Sequence, residues 1–313
     1  MSFPLLRLPL LASINVIKNI DVGDFVPLIR TSTRMRNLIK YSRVPIELNV
    51  YGDNSIVFKK LSDPSETKQV QIFVRNLSVE HQGNVPFKPF VRQRPSWETD
   101  LEGYQRMMDD FVDIFRVKSF NVYIRRFLPD MSIQYLEYAM RLGLKFMKAQ
   151  VSIDGANVED SQKVLSACVQ ASKVYVTSYG CPEFFSFEGF HEYEMDYFDL
   201  DLDGRFDWFT LDHLCALVNC SSVKIVNMKL SDEGLNMFLK HWIAGAGRME
   251  TLIVHLYRPD DHVPINPQTV LDGIPRKEIE RDESFEIERS GGVKARVRCQ
   301  RRSFSLKVVK FTD

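Results

Sequence analysis

Cysteine is scarce in this chain and badly placed for cross-linking. The 313 residues contain five: Cys168, Cys181, Cys215, Cys220 and Cys299. The number is odd, the spacing is wide and no CxxC occurs. That excludes a disulfide framework and a zinc knuckle, and it fits reduced thiols in the cytoplasm or nucleus. An excess of charge is also missing. Lys plus Arg and Asp plus Glu both total 41, a formal net charge of zero, so no global attraction draws the chain to nucleic acid or to an anionic membrane. No apolar run reaches the ~18–20 residues that span a bilayer. The apolar stretch from Phe3 to Ile20 is interrupted by Arg7 and Lys18 and punctuated by Pro4 and Pro9, and no small-x-small site follows, which argues against a signal peptide.

Signatures of catalysis are absent too. There is no P-loop, GxGxxG or GxSxG, and the histidines (81, 191, 213, 241, 255, 262) show no ligand spacing. Carboxylates are plentiful but unpaired for acid–base work. These absences predict a non-enzymatic chain without cofactor or metal. What is present is a globular composition, 44% hydrophobic and 26% charged, which is enough for a substantial core.

Residues 1–43 carry three short helical patterns. Pro9 suits the start of the first, in which Leu10, Leu11, Ile14, Ile17 and Ile20 recur at helical spacing. Gly23 and Asp24 break it and open a second with Phe25, Leu28 and Ile29; Pro27 is tolerable there in a first turn. Ser32 is a candidate N-cap for a third, bearing Met35, Leu38 and Ile39. So many apolar groups are more than a 40-residue unit hides alone. They either seek a partner or pack on the chain's own α/β domain.

Residues 44–76 alternate as strands: Ile46, Leu48 and Val50, then Ile56 to Phe58 after the Gly52-Asp53-Asn54 turn, then Val70 to Val74. Residues 77–95 are polar and Pro-rich and are expected to be a linker. From 96 to 256, strand patterns centre on Phe120, Met147, Tyr175, Leu200, Ile225 and Ile253, at intervals of ~25–28 residues. Helical patterns lie between them at 132–142, 158–170, 211–218 and 232–243. One strand and one helix per ~20–29 residues predicts a leucine-rich-repeat-like, irregular α/β solenoid. The strict repeat consensus is missing, and a doubly wound open sheet is the competing architecture. Residues 257–284 read as a loop. Residues 285–313 read as antiparallel strands with a Ser290-Gly291-Gly292 turn, possible partners of the strands at 46–75.

The N-terminal residues resemble a known family. Phe3-Pro4-Leu5-Leu6-Arg7-Leu8-Pro9, followed by Val16-Ile17, Ile20, Phe25, Leu28, Ser32, Arg34 and Leu38, is similar to the F-box of nematode F-box proteins. Farther on, Asn236-Met237-Phe238-Leu239-Lys240-His241-Trp242, with Ser231, Gly245 and Met249–Val254, resembles the type 2 F-box-associated domain over about 190–270. Met35 stands where an aromatic is usual, and Leu11 where an acidic residue follows Leu-Pro. The resemblance implies a substrate-recognition subunit of an SCF-type ubiquitin ligase. The F-box would dock on a Skp-type adaptor bound to a cullin, through Leu8, Pro9, Leu11, Ile14, Ile17, Ile20, Leu28 and Ile29, and the α/β domain would hold a protein substrate. The alternative is a free-standing repeat-type scaffold whose helices cap the solenoid.

Two further patterns compete for function. Asp199-Leu200-Asp201-Leu202-Asp203-Gly204 imitates an EF-hand loop, but Thr210 stands where the bidentate carboxylate belongs. Alternation of Phe198, Leu200 and Leu202 with the aspartates predicts a half-buried strand instead. Lys294, Arg296 and Arg298 alternate with Val293, Ala295 and Val297; with few aromatics interleaved, this predicts a solvated sheet face, not a nucleic-acid site. If Phe120, Val122, Ile124, Val174, Val176, Leu200, Leu202, Leu252 and Val254 face the core, then Asn121, Tyr123, Tyr175, Thr177, Asp199, Asp201, Ile253 and His255 face solvent. Of these, Tyr123, Tyr175, Asp199, Asp201 and His255 are the expected substrate contacts, unless residues 257–284 cover them.

Overall fold

The computed structural model describes residues 8–25, 28–29, 32–52, 55–61, 69–73, 78–81, 99–124, 129–155, 157–204, 207–245, 247–258, 263–279 and 284–309. Phe3 to Arg7, Pro27, Asp53, Asn54, Arg205, Phe206 and residues 82–95 of the expected linker lie outside them. The chain packs as two compact units, residues 1–147 and 148–313. The stretch 96–256, expected to form one α/β domain, is therefore shared between them. Its first part packs with the N-terminal residues.

In the first unit, helices Leu10–Asn19 and Thr33–Ser42 precede strands β1 (Pro45–Tyr51), β2 (Ser55–Lys60), β3 (Gln69–Phe73) and β4 (Ser78–His81). Helix Asp100–Ile114, β5 (Arg116–Ile124) and helix Pro129–Arg141 follow. The sheet order is β5-β1-β2-β3-β4, with β1 parallel to β5 and the rest antiparallel. β4 falls in the stretch expected to be a linker. The helices start where the sequence supplies caps: Ser32 Oγ accepts the Met35 N–H at 3.1 Å and Thr99 Oγ1 the Glu102 N–H at 3.1 Å. Arg43, at φ 48°, ends the second helix in the left-handed region. The core is continuous from helix to sheet. Ile17, Phe25 and Ile39 are fully buried with Leu48 and Phe58, Phe115 is buried beside them, and the Phe25 and Phe115 rings meet edge to face at 5.5 Å.

The second unit opens with β6 (Phe146–Asp154), at whose start the division falls. β7 (Lys173–Tyr179), β8 (Tyr197–Asp201), β9 (Ser222–Met228) and β10 (Thr251–Leu256) follow. These five strands are parallel and adjacent in chain order. A doubly wound sheet needs a reversal of order at a switch point, and this run has none. Helices Val158–Cys168, Leu211–Ala216 and Asp232–Ala244 occupy crossovers close to the expected places.

The alternation rule holds along the strands. Val174, Val176, Phe198, Leu200, Val223, Ile225, Leu252 and Val254 are buried, and Leu202 is 4% exposed, as a half-buried strand through the aspartates requires. β11 (Arg276–Ile279), β12 (Ser284–Arg289), β13 (Val293–Gln300) and β14 (Ser303–Val308) form an antiparallel meander. Gly291 and Gly292, at φ 91° and 77°, make the expected turn between β12 and β13.

Three expectations are corrected here. β14 pairs with β10, while the strands at 46–75 pair among themselves and with β5 and β4; the two sets are not partners. Residues 257–284 hold the short helix Pro267–Val270 and β11, not only loop. Asn121, expected at the surface, is buried, and its side-chain amide donates to Asn49 Oδ1 at 2.8 Å across the β1–β5 pair.

Candidate functional site

The first candidate surface is the N-terminal helix. Leu10 and Leu11 are 57% and 77% exposed at its start, Pro9 is exposed, and Leu8, Ile14, Ile20, Leu28 and Ile29 are half-buried. Ile17 points the other way and is fully buried. The apolar stripe is thus divided: one edge completes the unit's own core, the other stays in water. The helices are fastened from below. Arg36 bonds Asp110 at 2.7 Å and Lys40 bonds Asp113 at 2.5 Å, and the Lys40 hydrogen bond holds the Asp113 carboxyl below its usual range. Lys60 Nζ donates to the Ile20 carbonyl at 3.2 Å.

The second is the sheet face of the C-terminal unit that points away from its core. Tyr175 packs against Tyr197, ring centroids 5.3 Å apart, with Lys148 Nζ 4.6 Å above the Tyr175 ring. Asp199 accepts from the Tyr197 hydroxyl at 3.0 Å and pairs with Lys224 at 3.3 Å. Burial first, then the Asp199 charge, pushes the Tyr197 phenol up to about 12, so it stays a donor. Asn227 Nδ2 reaches Asp201 Oδ1 at 3.4 Å. Strand register brings Tyr175, Asp199, Lys224 and Ile253 into one row and Thr177, Asp201, Val226 and His255 into the next. Each keeps some accessible surface.

Tyr175, Asp199, Asp201 and His255 therefore share one face. Tyr123 belongs to the N-terminal unit, where it is half-buried and stacks on Tyr51 at 4.7 Å. The sequence reasoning missed Lys148, Tyr197 and Lys224, although Lys224 follows from the same alternation, one residue before buried Ile225. Lys148 over Tyr175 depends on the β6–β7 register, which no local pattern gives.

Burial raises all five thiols: Cys168 and Cys299 to about 12, Cys215 and Cys220 to about 11, and Cys181 upward. None is poised as a thiolate nucleophile. Among the described residues no cluster of three or more His, Cys, Asp or Glu could hold a metal ion, and no helix is long and apolar enough to cross a membrane. Asp201 and Asp203 are engaged by Asn227 and the Gly180 N–H.

The Asn236–Trp242 segment lies in helix Asp232–Ala244, capped by Ser231 Oγ on the Gly234 N–H at 3.1 Å. Its Phe238, Leu239 and Trp242 are buried. Asn236 Nδ2 donates to the Val270 and Asp272 carbonyls at 2.9 and 2.8 Å. These residues hold the fold together and touch no open surface except at Met237, Lys240 and His241.

Residues 190–253 match the family described as "F-box associated". Over 95% of its length the chain is 22% identical to the "Skn-1 dependent zygotic transcript 15 protein" of Caenorhabditis elegans, covering 94% of that relative. No solved structure matches. Both findings agree with the resemblance to a nematode protein carrying a type 2 F-box-associated domain.

Proposed function

We propose that the chain is the substrate-recognition subunit of an SCF-type ubiquitin ligase of the cytoplasm or nucleus. Its N-terminal helices dock on a Skp-type adaptor, and through it a cullin, while the C-terminal unit binds a protein. The observation that carries this is the exposed apolar edge at Leu10 and Leu11, 57% and 77% accessible beside Leu8 and Pro9. An edge of this kind gains ~25 cal/mol per Å² when a partner covers it. The sequential parallel strands β6 to β10 are read as leucine-rich-repeat-like, with Tyr175, Asp199, Asp201 and His255 on their partner-binding face.

A second function is favoured by one set of contacts. Ile17 and Phe25, fully buried, and the Arg36 and Lys40 ion pairs make the N-terminal helices part of their unit, as a free-standing interaction scaffold with a helical cap would have it. Pull-down with a purified Skp-type adaptor separates the two. Leu8→Asp with Pro9→Ala, and Leu11→Asp alone, should each lose adaptor capture from a folded chain. Undiminished capture by both variants would leave the scaffold as the better answer.

A further inference from the structure

The same face of the C-terminal unit carries a second chemistry where β10, β14 and β13 lie side by side. Register sets six side chains in two rows, Arg298 opposite Ser305 opposite Ile253, and Arg296 opposite Lys307 opposite Thr251. They line a groove of about 750 Å³. Three of the six are cations; among the described residues of the lining Glu250 is the one carboxylate, and Glu286 lies opposite Arg296 on β12. Lys294, next along β13, is paired with Glu286 at 2.9 Å. The groove is thus cationic in a chain whose net charge is zero.

We propose that this groove receives an extended, acidic segment of a partner protein, with Asp or Glu at alternate positions. Arg296 and Arg298 stand two apart on one strand, so their positions repeat every ~6.5–7 Å. That is the repeat of same-face side chains in an extended peptide laid along them. Guanidinium groups match carboxylates two bonds at a time. Thr251 and Ser305 add hydroxyls able to bond a peptide backbone, and Ile253 gives an apolar floor. Single-stranded nucleic acid fits less well, because it is held by aromatic platforms and none of the described residues lining the groove is aromatic. The inference rests on the receptor reading only for the partner being a protein.

The test uses the full chain and a labelled ten-residue peptide alternating Glu and Ser, followed by fluorescence anisotropy. The same peptide with Gln for Glu, and an adenine ten-nucleotide RNA, are the comparisons. The acidic peptide should bind at least tenfold more tightly than the Gln peptide and lose most of that margin at about 0.5 M salt, where exposed charges are screened. Arg298→Glu and Lys307→Glu should each weaken it at least fivefold; Lys307 is exposed, so its reversal leaves the fold intact. Lys173→Glu, exposed on the same unit outside the groove, should change nothing. Equal binding of the two peptides, indifference to Lys307→Glu, or tighter binding of the RNA each overturns the proposal. Adaptor capture is scored on the same proteins. Its loss with peptide binding intact strikes the ligase reading alone, and the reverse strikes the groove alone.

Discussion

Phe25→Ala and Leu11→Asp, fourteen positions apart, should behave as opposites. Phe25 is fully buried and its ring meets Phe115 at 5.5 Å. Truncating a buried Phe costs about 3–5 kcal/mol, the lost transfer energy plus the cavity left behind. For a unit of this size about 1 kcal/mol moves Tm by ~2–4 °C, so the melting transition of the N-terminal unit should fall by roughly 6–20 °C. Leu11 is 77% exposed, and surface changes of that kind stay within about ±0.5 kcal/mol; its Asp variant should melt within about 2 °C of wild type. Yet burying an exposed Leu on a partner yields about 1.5–3 kcal/mol. Losing three quarters of that weakens adaptor capture by roughly 7- to 50-fold before the cost of burying a carboxylate is added. Thermal denaturation followed by circular dichroism, beside adaptor pull-down, reads both. A Phe25→Ala protein that melts like wild type would show that the N-terminal helices are no part of the core. A Leu11→Asp protein that melts early would show that this edge is already occupied.

Two further outcomes follow from the C-terminal unit. His213 is packed against Phe190, Trp208 and Phe209, and its Nδ1 accepts the Thr210 N–H at 3.1 Å, capping helix Leu211–Ala216 in the neutral form. Burial lowers its pKa below 6.5, so above about pH 6.5 its contribution is fully present, and below it the unfolded chain takes the proton first. The urea midpoint should therefore drop between pH 7.5 and 5.5, with a shallower drop in His213→Gln; an equal drop in both would exclude His213 as the cause. A Cβ at Gly155 would lie 2.1 Å from the Gly180 carbonyl oxygen and 2.7 Å from Pro182, so Gly155→Ala should cost about 1–3 kcal/mol by overpacking, and an unchanged denaturant midpoint would refute that close approach.

Much of this fold is legible because local patterns and burial agree. Helix Asp232–Ala244 announces itself by Ser231, its apolar spacing and Gly245, and the strands around Tyr175, Leu200, Ile225 and Ile253 by alternation. What the sequence hides is whatever depends on a distant partner. Asn121 looks exposed by alternation, yet its bond is to Asn49 on a strand 72 residues away. β11 reads Arg-Lys-Glu-Ile and shows no apolar alternation, because three of its four residues are exposed. The N-terminal stripe is visible as a stripe, but which side chains the chain spends on itself, Ile17, and which it leaves in water, Leu11, is decided by the surface beneath. Tyr123 and Tyr175 look equivalent in sequence and fall in different units.

A run of parallel strands laid down in chain order has no inherent stopping point, and its last strand offers a row of unpaired backbone groups to any second molecule. Here β14 occupies that side of β10 in the opposite direction, and the meander carries the free rim outward to β11. That rim is four residues long and begins Arg276-Lys277-Glu278. Short, charged edges are poor templates for further strands. The reversal of strand direction after β10 thus acts as a guard against self-association, ending growth of the sheet on a border to which other chains have little reason to add.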